Sequence, residues 1–145
     1  MSFSDDVGTR MKQYEDVTKH KLTRHIPTII RLDGKSFHTY TRNFERPFCF
    51  ELHTCMIFAM RHLMADVMQN AVIGYTQSDE MSILIKDWPN MNTQQWFNGN
   101  IQKIVSVAAS AVTAEFNKNI RNCSGIEVPE ASALFDARVF QLPFT

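Results

Sequence analysis

The segment AVIGYTQSDEMSILI, residues 71–85, sets the strongest constraint on the fold. It contains two apolar runs joined by a short polar turn, which is typical of a β-hairpin. Hairpin turns favour Asn-Gly or Asp-Gly, because these residues reach positive φ easily. This turn carries the adjacent acids Asp79 and Glu80 instead. The sequence therefore places two carboxylates at the bend of a hairpin.

Further strand and helix patterns flank the hairpin. A β-branched run over residues 26–34, ending in Asp-Gly, predicts a first strand. Apolar residues recur at helical spacing over residues 50–69 and again over residues 101–116, which predicts two helices. Residues 133–143 alternate well enough to form a fourth strand. The first helix carries a methionine stripe that is interpreted as core packing: Met56, Met60, Met64 and Met68.

The order β-α-β-β-α-β predicts an α+β fold of the ferredoxin-like type, with an antiparallel sheet and two helices on one face. In this topology the third strand lies between the first and the second and runs opposite to both. The end of the first strand and the start of the third then meet, on strands about 4.8 Å apart. We therefore expect Asp33, at the end of the first strand, to lie beside Asp79 and Glu80.

The length and net charge of the chain indicate a single domain without a strong overall electrostatic field. The chain has 145 residues, 44% of them apolar, so we expect one domain over residues 1–145 with an N-terminal arm over about residues 1–24. The formal net charge is zero, which excludes a protein that is basic throughout. Residues 10–46 nevertheless contain nine Lys and Arg against four Asp and Glu. That surplus suits polyphosphate or tRNA, and a solvated basic face is the alternative.

The cysteines and the N-terminus favour a cytoplasmic protein. Cys49, Cys55 and Cys123 contain no C-x-x-C pair, which argues against a disulfide framework or a zinc site. The N-terminus is too polar for a secretory signal, and no apolar run reaches about eighteen residues. We therefore expect no membrane partner.

Two carboxylates at one sheet edge repel each other unless they share a proton or hold a cation. Mg²⁺ prefers oxygen ligands and commonly uses one or two carboxylates together with substrate phosphates. Two such ions about 3.5–4 Å apart support phosphoryl or nucleotidyl transfer. Asp33 and Asp79 therefore predict a magnesium site. The alternative is that Asp79 caps the turn through backbone amides and Glu80 is solvated.

The segment GKSFHTY, directly after Asp33, predicts a phosphate-binding loop. Gly34 permits a sharp turn, and the amides that follow can form an anion-binding nest. Lys35 and Arg46 are candidate phosphate cations, and His38 is a candidate phosphate contact or proton carrier. The chain has no Walker lysine motif. The amides of the expected nest belong to Lys35, Ser36, Phe37 and His38.

The segments RLDGKSFHTY, NFERP, YTQSDEMSILI and LFDARVFQLP, in this order and spacing, resemble the histidine-tRNA guanylyltransferase family and its 3′-to-5′ polymerase relatives. The resemblance covers nearly the whole chain and implies a polymerase-type palm. It implies that ATP or GTP activates the 5′ end of a tRNA and that the 3′-hydroxyl of a nucleoside triphosphate attacks that end. Two Mg²⁺ ions, GTP or ATP, tRNA, and a dimer or tetramer are expected on the same grounds.

The resemblance also assigns roles to individual residues. Asp33, the carbonyl of Gly34 and Asp79 match the family's metal ligands, and Glu80 matches a residue needed for catalysis beside Asp33 and Asp79. Arg46 stands where the family has a lysine before proline, which replaces a compact ammonium by a planar fork. The implied nucleotide contacts are Asp33, Gly34, Lys35, Ser36, Phe37, His38, Arg46, Ser78 and Asp79.

Family members continue well past the FDARVFQLP strand, so we expect this chain to be either a fragment or a natural short form. Two other functions stay open. A palm-type nucleotide cyclase would use the same paired aspartates, although a G-G-D-E-F signature is absent. A non-catalytic nucleotide- or RNA-binding palm is the second alternative.

Overall fold

The computed structural model describes residues 3–90 and 92–143. Its α-helices are α1 (Phe3–Val17), α2 (Phe37–Tyr40), α3 (Phe50–His62) and α4 (Ile101–Ile120). Its strands are β1 (Thr28–Gly34), β2 (Ala71–Gln77), β3 (Glu80–Ile85) and β4 (Phe135–Gln141). A π-helical turn, Leu63–Val67, continues α3, and a 3₁₀ turn, Trp96–Gly99, precedes α4.

The four strands form one antiparallel sheet in the order β2-β3-β1-β4. As predicted, β3 lies between β1 and β2 and is antiparallel to both. The fourth strand pairs with the other side of β1, so that Asp33 lies opposite both Glu80 of β3 and Asp136 of β4. The predicted α+β fold with its antiparallel sheet is confirmed.

One face of the sheet is apolar and is covered by α3 and α4. In β1 and β3, buried side chains alternate with partly exposed ones, as expected for strands with one buried face. Both helices pack on the sheet and on each other, so the prediction of two helices on one face is confirmed. The buried residues of α4 recur every four positions: Ile104, Ala108, Val112, Phe116 and Ile120.

The methionine stripe of α3 and its π-helical turn fills the core, as interpreted from the sequence. Met56 and Met68 are buried. The sulfur atoms of Met60 and Met64 lie so close to Gly74 of β2 that an added Cβ would come within 2.7 Å and 2.6 Å of them. Flexible thioethers suit such gaps, and the glycine allows the helix to approach the strand.

Two element boundaries differ from the predicted ones. The helix predicted through residue 69 changes to a π-helical turn at Leu63 and ends where Met68 becomes extended, with φ −98° and ψ 164°. The third strand begins at Glu80 and not at Asp79, because Ser78 and Asp79 form the turn that joins β2 to β3.

The predicted N-terminal arm contains α1, a helix that the sequence patterns did not indicate. Its apolar side chains are exposed at Val7, Met11, Tyr14 and Val17. The chain after α1 is fastened to the turn before α4, since the Leu22 amide donates to the Gly99 carbonyl over 2.9 Å. Across the described ranges, every helix is too short or too polar to cross a membrane.

Candidate active site

The turn between β2 and β3 brings Asp79 next to the end of β1. Gln77 and Glu80 are paired across the hairpin, which leaves a two-residue turn in which Ser78 has φ 55°. The amide of Gly34 donates to the Asp79 carbonyl over 3.2 Å. The last residue of β1 is therefore one backbone hydrogen bond away from the turn.

The carboxylate of Asp79 is held by its neighbour in the turn. The Ser78 hydroxyl donates to Asp79 Oδ1 over 3.0 Å. Within the part of the chain that the structure describes, this is the hydrogen bond that the Asp79 carboxylate accepts, so the alternative in which it caps backbone amides has no support here. The second carboxylate oxygen of Asp79 is available to a ligand.

Three acids, one on each of three neighbouring strands, lie on the face of the sheet that the helices leave open: Asp33, Glu80 and Asp136. Directly opposed residues of antiparallel strands point to the same face, so Asp33 lies between Glu80 and Asp136. This face is the open one, because the neighbouring Leu32 points into the core. Asp33, with a side chain 32% exposed, therefore belongs to a row of carboxylates across three strands.

Two arginines balance the negative charge of these acids, and each lies two residues from an acid on its own strand. Arg31 of β1 forms an ion pair with Glu80. Arg138 of β4 lies 3.2 Å from Asp136 and 4.0 Å from Asp33. Arg31 and Arg138 are also directly opposite each other in the register. A row of two cations therefore lies next to the row of carboxylates on the open face. Glu80 is therefore paired with a cation and not merely solvated.

The loop after Asp33 is fixed by an aromatic anchor. Phe37 is buried and packs against Phe116 and Phe135, with ring centroids 5.7 Å and 5.0 Å away. A Cβ on Gly34 would lie 2.2 Å from the Phe37 ring, so only glycine fits there. Ser36, with φ 55°, turns the chain so that its own side chain and that of His38 are exposed while Phe37 enters the core.

The predicted nest of four amides is reduced to three. The Lys35 amide donates to the Leu134 carbonyl over 2.8 Å, so it is not free for a phosphate, and the prediction for that amide is wrong. The amides of Ser36, Phe37 and His38 precede or begin α2, where a helix leaves its first amides without internal partners. The Lys35 side chain is exposed at the rim of the loop.

A cavity of about 430 Å³ opens beside the turn and the loop. It is bounded by the loop after β1, the β2–β3 turn and the segment before α3. Predicted site residues in its lining are Gly34, Ser36, Phe37, His38, Arg46, Ser78 and Asp79. Asp33, Lys35 and Glu80 lie outside that lining. The predicted residues are thus divided between the cavity and the adjoining open face.

Sequence reasoning missed one side of the cavity. Phe44 and Leu52 form an apolar wall, and Glu45 adds a carboxylate for which the described residues supply no ion pair or hydrogen bond. A carboxylate accepts hydrogen bonds from N–H groups, such as those of a nucleobase. Glu45 directly precedes the candidate phosphate ligand Arg46 in NFERP, and this adjacency was the sequence feature that could have identified it. The other missed lining residues are Thr41, Pro47 and Cys49.

The donor set of the site fits magnesium better than a softer metal. Within the described ranges, no three His, Cys, Asp or Glu side chains form a group that could hold a metal ion. Asp33 directly precedes Gly34 in β1, and the Gly34 amide donates to the Asp79 carbonyl, so the candidate ligands are carboxylate and backbone carbonyl oxygens. Mg²⁺ uses few protein ligands of this kind and completes its shell with water and phosphate.

Solved structures share this arrangement of strands and helices. A bacterial protein described as tRNA(His) guanylyltransferase (Thg1)-like was solved in complex with GTP, and it matches 95% of this chain at 40% identity with a TM-score of 0.88. Its complex with ATP matches 94% of this chain at the same identity and TM-score. This chain covers 64% and 58% of those two chains.

Sequence relatives agree with the structural ones. An uncharacterised protein of Acanthamoeba polyphaga mimivirus is 28% identical over 95% of this chain, which spans 52% of that protein. A tRNA(His) guanylyltransferase of Schizosaccharomyces pombe is 32% identical over 73% of this chain, which spans 38% of it. The chain thus spans about half or less of these relatives.

The family resemblance inferred from four sequence segments is confirmed at the level of the whole chain. Residues 8–143 match the family described as Thg1: tRNAHis guanylyltransferase. The matched range includes the loop after β1, the β2–β3 turn and all four strands. The chain therefore belongs to the Thg1 tRNAHis guanylyltransferase family.

Proposed function

We propose that this chain is the palm of a Mg²⁺-dependent nucleotidyltransferase that extends the 5′ end of tRNA in the 3′-to-5′ direction. The observation that carries the proposal is the hydrogen bond from the Gly34 amide to the Asp79 carbonyl, 3.2 Å long. It joins the end of β1 to the acidic turn beside a cavity of nucleotide size. Family membership over residues 8–143 supports the same reaction.

In this proposal Asp33, the Gly34 carbonyl and Asp79 would hold two Mg²⁺ ions. When bound, these ions would activate the attacking oxygen and stabilise the leaving one. In the first step ATP or GTP would transfer its nucleoside monophosphate to the 5′-phosphate of the tRNA, and pyrophosphate would leave. The 3′-hydroxyl of the incoming nucleoside triphosphate would then attack that 5′-phosphate and release the nucleoside monophosphate. Asp33 and Asp79 are the proposed catalytic residues, and Glu80 is the proposed positioning residue beside Asp33.

The chain's own groups bind the triphosphate in this scheme. Ser36, His38 and Arg46 line the cavity, and backbone amides and a guanidinium fork are donors that suit phosphate oxygens. Ser78 also lines the cavity, where its hydroxyl orients the Asp79 carboxylate. Lys35 contributes its side chain from the rim. Because Phe37 anchors this loop in the core, the donors are held in place before the nucleotide arrives.

Glu80 is proposed to act through its position and not as a cavity residue. It lies opposite Asp33 in the register, and the Arg31 guanidinium holds its carboxylate. The Glu80 carboxylate thus lies beside the proposed metal ligand Asp33, while its own charge is paired with Arg31. The two side chains are 42% and 47% exposed, so the pair contributes only about 0.2–1 kcal/mol, and its role is to orient the Glu80 carboxylate.

We propose tRNA as the nucleic-acid partner, a homodimer or tetramer as the assembly, and the cytoplasm as the compartment. The basic surplus of residues 10–46 supports an RNA partner. All three cysteines are free thiols, which supports a reducing compartment. A sedimentation experiment that finds only monomer would contradict the proposed assembly.

The test is extension of a 5′-labelled, 5′-truncated tRNA by the purified chain with Mg²⁺, ATP and GTP. We expect a product longer at the 5′ end, and we expect Asp79→Asn to abolish it. The asparagine keeps an oxygen for Ser78, so the free energy of unfolding should stay near that of the wild type. Asp16→Asn, an exposed partner of Lys19 in the N-terminal segment, is the control and should retain activity.

A second candidate is nucleotide binding without transfer. It is favoured by the position of Asp33 and Glu80, which lie outside the lining of the cavity that would hold the nucleotide. Calorimetry with Mg²⁺ and GTP, run beside the extension assay, separates the two functions. Tight binding without a longer tRNA supports the binding module, and a cyclic nucleotide product would contradict both.

A further inference from the structure

Two of the three cysteines touch in the interior of the protein. The Sγ atoms of Cys55 in α3 and Cys123 in the turn after α4 are 3.6 Å apart. Both residues are free thiols, with Cys55 buried and Cys123 partly exposed. They are separated by 68 positions in the chain, so this contact joins two distant segments. Neither thiol lines the cavity of the candidate active site.

We propose that Cys55 and Cys123 form a modification site at which a reversible disulfide ties α3 to the end of α4. A disulfide has an S–S distance of about 2.05 Å, so the two sulfur atoms must approach by about 1.5 Å. Cys123 lies beyond the last residue of α4, Ile120, in the irregular segment that follows the helix. A shift of that segment in which the Cys123 thiol leaves the Asn119 carbonyl, to which it donates, would bring the sulfur atoms together.

The reaction is an exchange with a low-molecular-weight disulfide. The thiolate of Cys123 attacks one sulfur of that disulfide, breaks its S–S bond and releases one small thiolate. The sulfur of Cys55 then attacks Cys123 Sγ, displaces the second small thiolate and gives up its proton to it. The protein loses two electrons and two protons, and the small disulfide becomes two thiols.

The environments of the two thiols support this order of attack. Burial, followed by the hydrogen bond with Cys123, raises the pKa of Cys55 to about 12, so Cys55 is a thiol near neutral pH. A buried thiol of this kind is inert toward external disulfides. Cys123 is partly exposed and reaches the reagent first. Cys55 reacts after a mixed disulfide has formed on Cys123, whose sulfur lies 3.6 Å from that of Cys55 in the reduced protein.

The disulfide would stabilise the fold behind the nucleotide loop. Tyr40 of α2 is within electrostatic range of both segments: burial raises the pKa of its hydroxyl, Arg121 lowers it and Cys55 raises it. Closing a loop of 68 residues restricts the unfolded chain, and for a domain of this size we expect the Tm to rise by about 10 °C. Reduction would reverse the change.

The experiment incubates the whole chain with oxidised glutathione, digests it without reduction and identifies the linked peptides by mass spectrometry. We expect a Cys55–Cys123 cross-link, a higher Tm, and the return of both to their starting values after dithiothreitol. A stable glutathione adduct on Cys123 without a cross-link would overturn the proposal. So would a cross-link that joins Cys49 to either residue in place of Cys55–Cys123.

Single variants separate the two steps. Cys55→Ser should stop the reaction at the mixed disulfide on Cys123, whereas Cys123→Ser should take up no glutathione at Cys55. Cys49→Ser is the matched control and should still form the cross-link. If a serine variant fails to fold, the peptide map of the wild-type protein alone decides the proposal.

Discussion

At the scale of single residues, Gly34 connects the sheet to the loop after β1. Its amide bonds to the Asp79 carbonyl, and the space that a Cβ would occupy is filled by the ring of Phe37. The same residue therefore positions the acidic turn and allows the aromatic anchor of the loop to enter the core. A side chain at this point would disturb both contacts.

We predict that Gly34→Ala destabilises the fold by about 1–3 kcal/mol, the usual effect of overpacking a core. The new methyl group would meet the Phe37 ring at 2.2 Å, and Phe37 is held by Phe116 and Phe135. Urea unfolding followed by circular dichroism measures the change. Gly8→Ala is the matched control: nothing lies within 4 Å of its added Cβ, so α1 should be unchanged or more stable.

At the scale of elements, the start of α4 is fixed by one side chain. Asn100 precedes the helix, and its Oδ1 accepts the Lys103 amide over 3.2 Å. The same residue forms an isolated bridge with Lys21 through its backbone. The cap thus determines where the longest helix of the domain begins on the sheet.

We predict that Asn100→Ala lowers the free energy of unfolding by about 1 kcal/mol, because the first turn of α4 loses its capping acceptor. The backbone bridge to Lys21 stays, so the sheet should keep its register. Chemical denaturation quantifies the loss. Asn92→Ala, an exposed substitution in the loop before α4, serves for comparison, and an equal loss in both variants would contradict a capping role.

The other end of α4 carries a pH-dependent contact. Hydrogen bonding from Asn119 and the nearby Lys118 lower the pKa of Glu115, against an opposing effect of burial. A carboxyl whose folded-state pKa is lowered stabilises the protein above its unfolded-state pKa, and this stabilisation is lost as the pH falls through the folded-state value. Glu115 should therefore stabilise α4 at neutral pH.

We predict that Glu115→Gln lowers stability at neutral pH and that its difference from the wild type shrinks as the pH drops below the ordinary range of glutamate. Thermal unfolding of both proteins at neutral and acidic pH measures the difference. Glu130→Gln removes an exposed carboxyl in the loop before β4 and should give no such trend. A difference that stays constant with pH would show that charge is not the cause.

At the scale of the molecule, the sequence predicted the sheet better than the site. Alternating and helical apolar patterns determine which faces are buried, so the strand order and the position of β3 followed from them. The division of the site between a cavity and the open face did not follow. It depends on Ser78 entering positive φ and on the Lys35 amide bonding to Leu134, and periodicity carries no signal for either.

The missed wall of the cavity has a similar cause. In the sequence, nothing distinguishes Phe44 and Leu52 from other apolar residues. Only the fold shows that they line the cavity together with the loop after β1. Glu45 was visible as an acid, but only the structure reveals that the described residues leave its carboxylate without an ion-pair partner. The sequence motifs identified the site residues that lie at the turns. The other residues of the cavity lining could be identified only from the long-range packing of the fold.

For the whole domain, we predict that Mg²⁺ with GTP raises the Tm and that neither component does so alone. A ligand at one hundred times its Kd stabilises a folded protein by about 2.7 kcal/mol, which for a domain near this size is about 5–10 °C. The stabilisation needs both components, because the proposed ligands Asp33 and Asp79 are acidic and would repel a triphosphate without a cation, and the triphosphate supplies the remaining oxygen ligands of Mg²⁺. Differential scanning fluorimetry with Mg²⁺, with GTP and EDTA, and with both together measures it. Asp79→Asn should remove the shift while Asp16→Asn keeps it, and an equal shift with GTP and EDTA would mean that the nucleotide binds without the two aspartates.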